Sequence, residues 1–80
     1  MPGLPQASGE KLVRLLTSLG YRVIRQRGSH AHLVLFTPSG PHRITVPMHR
    51  TIAKGTLSDI LSQVSVRLGV PKEDLARRLR

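Results

Sequence analysis

Eighty residues and 8.8 kDa leave room for one domain whose apolar core is only just sufficient, which excludes a second domain or a deeply enclosed active site. Thirteen Lys and Arg against four Asp and Glu give a formal net charge of +9, so the natural partner is a polyanion, nucleic acid ahead of acidic protein and membrane surface last. The lack of cysteine removes disulfides, thiolate catalysis and zinc ribbons, and no apolar run suits a signal segment or a membrane span, so a cytoplasmic location is expected.

Met1 to Ala7 carries Pro2, Gly3 and Pro5 without any period and reads as a disordered lead-in. Ser8 suits an N-cap, Leu12, Leu15, Leu16 and Leu19 form one helical stripe, and Gly20 ends it. Lys11 and Arg14 on the opposite face read as solvated charges. Tyr21 to Arg27 predicts a first strand ending in basic residues at Gly28. His30 to Phe36 alternates clearly: Ala31, Leu33 and Leu35 face one way, and His30, His32, Val34 and Phe36 the other.

Thr37 to Pro41 reads as a turn in which His42 also sits, and Arg43 to Val46 as a short third strand. Met48 to Gly55 is a loop carrying His49, Arg50 and Lys54. A capping-box pattern at Thr56-Leu-Ser-Asp59 predicts the start of a second helix, striped by Leu57, Ile60, Leu61, Val64 and Leu68 and stopped at Gly69. Pro71 opens a last segment in which Leu75 and Leu79 stand one turn apart, an optional short C-terminal helix. The expected fold is α+β, a single domain over 1–80 in the order α-β-β-β-α. Its three-stranded antiparallel sheet has helices on one face and the other face free for binding.

The chemistry centres on Arg25-Gln-Arg-Gly-Ser-His30. Gly28 permits a tight turn at Ser29 that aims His30, and Arg25 and Arg27 draw an anion toward the imidazole. A base beside bound phosphate suits RNA cleavage, in which the 2′-hydroxyl attacks the adjacent phosphorus. His30 would take the proton, Arg25, Arg27 or Lys54 would stabilise the developing charge, and His49 is a candidate acid or loop-positioning group. His32 reads as a binding or incidental residue. Tyr21 and Phe36 are the only aromatics, too few for a stacking platform, so contact should run through phosphate, sugar and shape.

Two rivals stand beside this reading. His30, His32 and His49 could present imidazoles to a metal, but Glu10, Asp59, Glu73 and Asp74 all fall in predicted helices away from that face, and no metal is expected. A non-catalytic module binding double-stranded RNA would need the cations and not His30.

The ordered motifs Leu19-Gly20-Tyr21, Arg25 to His30, Val46-Pro-Met-His49 and Lys54-Gly-Thr-Leu57 resemble HicA-type toxins, the messenger-RNA interferases of HicA/HicB toxin–antitoxin pairs. The resemblance spans about Ser8 to Leu68. It implies a fold like that of double-stranded-RNA-binding domains, a messenger-RNA endoribonuclease, and His30 as the catalytic histidine; from the placement of the carboxylates the cleavage is expected to be metal-independent, without cofactors. In the resemblance Gly28 and Ser29 fall on the family's turn, His49 on its Pro-x-His loop and Lys54 on its helix-entry motif; by charge, Arg25, Arg27, Arg50 and Lys54 are expected to face RNA. A HicB-like antitoxin, acidic at the contact, would cover the site.

Overall fold

The computed structural model describes residues 3–80. Helix α1 (Gly9–Ser18) begins as its sequence dictates: Ser8 Oγ accepts from the Lys11 backbone N–H at 3.1 Å, and Glu10 sits in the first turn. Gly20 follows the last turn at φ +106°, a value open to glycine. Strands β1 (Arg22–Arg27), β2 (His30–Thr37) and β3 (Gly40–Pro47) form one antiparallel sheet in the order β1-β2-β3, the meander expected from the alternation. Helices α2 (Lys54–Leu68) and α3 (Lys72–Arg78) complete an α-β-β-β-α order extended by one helix.

All three helices bury their apolar stripes against one face of the sheet. Leu12, Leu16, Leu57, Leu61, Val64, Leu75 and Leu79 share a core with Ala31, Leu33, Ile44 and Val46. The opposite face is open: His30, Phe36, Pro41, Arg43 and Thr45 are exposed along it.

The structure corrects the sequence reading at three places. Ala7, expected in a disordered lead-in, is buried and its carbonyl accepts from the Ile52 N–H at 2.8 Å, while Leu4 packs against the core. Ile52 is itself buried, so its N–H needs a protein partner, and Ala7 supplies one. Met1 and Pro2, the start of that segment, lie outside the described residues.

His42 belongs to β3 rather than a turn, because the β2/β3 turn is only Pro38–Ser39 between the paired Thr37 and Gly40. The strand therefore starts three residues before Arg43. Helix α2 begins at Lys54 with Ala53 as its cap and no capping side chain, so the Thr56 to Asp59 pattern falls inside the first turns. With Ile52 anchored in the core, the chain turns directly into helix, and the first i→i−4 bond runs from Leu57 N–H to the Ala53 carbonyl.

Candidate active site

The open face can be read from the register. His30 lies between Arg27 of β1 and Pro47 of β3, His32 between Arg25 and Thr45, Val34 between Arg22 and Arg43, and Phe36 opposite Pro41. Directly opposed side chains of an antiparallel pair sit about 5 Å apart at Cβ, so Arg27 is an immediate neighbour of His30. Val34 is buried on this face between its two arginine partners. His32 Nδ1 lies 3.2 Å from Thr45 Oγ1, which fixes that ring within the row.

A β-bulge makes this array. The β1 register shifts between Val23 and Arg25, leaving Ile24 without a partner. Unbroken alternation from Arg22 would send Arg25 and Arg27 to the helix side of the sheet. The extra residue reverses their parity and brings Arg22, Arg25 and Arg27 onto one face with His30 and His32. Arg22 and Arg43 were not singled out in the sequence, since their shared position depends on this register.

The turn and loop around His30 are tied by backbone. Gly28 takes φ +56° at the first central position of a two-residue hairpin turn, the place where glycine serves type II′ geometry. The Ser29 carbonyl accepts from the Met48 N–H at 2.6 Å, and the His49 carbonyl accepts from the Gly9 N–H at 2.9 Å, so the loop after β3 joins the β1/β2 turn to the start of α1. Gly9 permits this approach. A Cβ there would lie 2.5 Å from the Pro47 carbonyl oxygen and 2.6 Å from Met48 Cα, and no signal in the sequence marked it.

His49 and Arg50 do not join the face of His30. They line a cavity of about 460 Å³ with Ser8, Glu10, Gln26 and Met48, at the same end of the sheet. Lys54 opens α2 and belongs neither to that lining nor to the strand rows. Among the described residues no group of three His, Cys, Asp or Glu side chains comes together, so His30, His32 and His49 form no common donor set.

His42 is the one buried polar residue among those described, and it has a structural role. It faces the core opposite Leu35, and its Nδ1 is 2.6 Å from the Tyr21 hydroxyl, a hydrogen bond that satisfies both buried groups. Burial, with a smaller contribution from the Arg67 charge, pushes the His42 imidazole below its ordinary range. Burial raises the Tyr21 phenol, and Arg67 partly opposes that shift.

An open, arginine-lined sheet face with an imidazole at the closing pair of a glycine hairpin marks a small, strongly basic α+β protein. A family model, the HicA toxin of bacterial toxin–antitoxin systems, matches residues 9–66. The chain belongs to the HicA toxin family, and its role is that of the toxin in a toxin–antitoxin pair with a cognate antitoxin. No curated protein and no solved structure matches it. Among the described residues no helix is long and apolar enough to cross a membrane.

Proposed function

We propose that this toxin is a metal-independent endoribonuclease that cuts messenger RNA, with His30 as the general base. The observation that carries the reading is the row Arg27–His30–Pro47 on an open face that also holds Arg22, Arg25 and Arg43. His30 takes the proton of a 2′-hydroxyl as that oxygen bonds to the adjacent phosphorus. The bond from phosphorus to the 5′ oxygen breaks, leaving a 2′,3′-cyclic phosphate and a 5′-hydroxyl. Arg27 and Arg25 stabilise the charge that develops on the phosphoryl oxygens, and the leaving oxygen takes its proton from water, since His49 lies off this face.

Gly28 and Ser29 hold His30 in position, and Arg50 and Lys54 reach phosphates farther along the strand. The antitoxin in this reading is HicB-like and acidic, and it covers the sheet face around His30 in the cytoplasm, where the substrate is. Protection of Arg25 to Phe36 from hydrogen exchange on complex formation tests that contact; unchanged exchange contradicts it.

The reaction is tested on purified protein with RNA in the presence of a chelator. Products ending in a cyclic phosphate and a 5′-hydroxyl, blocked by a 2′-deoxy sugar at the scissile position, are expected. RNA that is bound but left intact contradicts the nuclease and leaves a double-stranded-RNA-binding module.

A further inference from the structure

Lys11 and Arg14, expected as solvated charges, share a shallow cleft on the helix side of the sheet. Lys11, Arg14, Leu15 and Ser18 stand at i, i+3, i+4 and i+7 and form one face of α1, and Arg78 of α3 completes the lining. Ser18 Oγ donates to the Leu15 carbonyl at 2.6 Å and accepts from Arg78 Nη2 at 3.0 Å, so it fixes the Arg78 guanidinium beside the other two cations. Because α1 and α3 pack on the face of the sheet opposite His30, the cleft is separate from the proposed active site.

These cations pass over the carboxylates within their reach. Glu10 stands four residues before Arg14 and Asp74 four before Arg78, the spacing at which a helix joins opposite charges. Yet the one ion pair among the described residues joins Asp74 to Arg77, and no carboxylate lines the cleft. The C-terminal ends of α1 and α3, at Ser18 and Arg78, each bring about half a negative charge, which leaves the three cations with a positive excess of about two.

The cleft volume, about 280 Å³, falls just below the range of about 300–1,000 Å³ typical of small-ligand sites, so it suits a compact anion and not a whole nucleotide. A phosphate monoester offers three strong acceptor oxygens and a charge of about −1.5 to −2, which match three donors and this excess. A carboxylate or a phosphodiester offers two free oxygens and a single charge.

We propose that this cleft binds a phosphate monoester, the terminal group of a 5′-phosphorylated RNA or of a small phosphate ester. Lys11, Arg14 and Arg78 each take an oxygen, and Ser18 holds Arg78 in place. The site does not rest on the ribonuclease reading. Arg78 lies beyond residues 9–66 of the family match, so the cleft is completed by a helix outside the matched segment.

Inorganic phosphate, dimethyl phosphate and acetate, titrated separately into the full-length chain at constant ionic strength and followed by NMR, test the site. Phosphate should shift the amide resonances of Lys11, Arg14, Ser18 and Arg78 saturably and bind at least about tenfold more tightly than the two singly charged anions. Lys11→Gln and Arg14→Gln, both outside the core cluster, should each weaken it about tenfold, the scale of one charged hydrogen bond. Equal or tighter binding of acetate assigns the cleft to acidic protein and overturns the proposal. So do equal binding of dimethyl phosphate, shifts confined to the arginines of the open sheet face, or indifference to both variants.

Competition against bound phosphate separates the sources. A short 2′-O-methyl RNA with a 5′-phosphate that competes better than its 5′-hydroxyl counterpart assigns the cleft to an RNA end, and competition by glycerol 3-phosphate alone assigns it to a small ester. Equal competition by the two RNA strands means that a backbone diester suffices and overturns the proposal, as does failure of all three to compete.

Discussion

Arg27 and His30 are the closing pair of the β1/β2 hairpin, separated only by Gly28 and Ser29 and facing each other across the two strands. This pairing sets a permanent cation against the proposed base without any helix or loop having to move. It depends on two local features: the positive φ of Gly28 and the bulge at Ile24, which sends Arg27 to the open face.

Gly28→Ala isolates the first feature. A Cβ at Gly28 meets no atom within 4 Å, so the expected loss comes from conformation alone, about 1–2 kcal/mol for an L-residue held in the left-handed region. Thermal unfolding should fall by several degrees and RNA cleavage by more than the stability loss accounts for, as the hairpin shifts His30. An unchanged melting temperature would show that the turn adopts another geometry.

Gly9→Ala tests the close approach that holds the His49 loop. The obstructing atoms are backbone, the Pro47 oxygen and Met48 Cα, and cannot swing aside as a flexible side chain would. A destabilisation of about 1–3 kcal/mol is expected from this overpacking. Urea unfolding measures it, and a neutral result would mean that α1 and the loop lie farther apart than described.

The Tyr21–His42 pair predicts a pH dependence of stability. The folded protein holds the His42 pKa below the ordinary imidazole value of 6.5, so between the two values the unfolded chain binds more protons than the folded one. Stability is therefore full above about pH 6.5 and falls as the pH drops through the lowered folded pKa. Urea unfolding from pH 7.5 down to pH 5 should show the loss above the ordinary carboxylate range of about pH 4, and His42→Gln should flatten it. A wild-type curve that is level over this interval would contradict the account.

Arg43 lies on the open face, in the row of Val34 and Arg22, and Arg77 on α3 packs on the other side of the sheet in an ion pair with Asp74. If RNA lies on the open face, Arg43→Ala should lower the slope of log affinity against log salt by about one, and Arg77→Ala should leave it unchanged. Equal effects from the two variants would mean that net charge, and not this face, binds RNA.

These residues also show what could be read from the sequence. β2 was legible because its two faces differ in chemistry, with Ala31 and Leu33 buried and His30 exposed. All six residues of β1 are exposed, so its alternation carries no burial signal and the bulge at Ile24 left no trace in composition. His42 was misplaced because prolines at 38 and 41 suggested a longer turn than the two-residue hairpin that forms. Leu75 and Leu79 are expected in an optional helix; Leu75 in α3 and Leu79 at its C-cap are fully buried and complete the core, although α3 lies beyond the residues of the family match. The cavity at Glu10 and Gln26 joins α1, β1 and the loop after β3, a juxtaposition that no local pattern could announce.

The most direct test of the central claim is single-turnover RNA cleavage by wild type and His30→Ala, with chelator present and both proteins checked for folding and RNA affinity. His30 is exposed on the open face and outside the core cluster, so the variant should unfold at the wild-type temperature and bind RNA through the same arginines. Cleavage should fall by about 10² to 10⁴, the usual contribution of a positioned general base. A folded His30→Ala protein that cuts RNA at the wild-type rate would contradict the assignment of the base and the mechanism built on it.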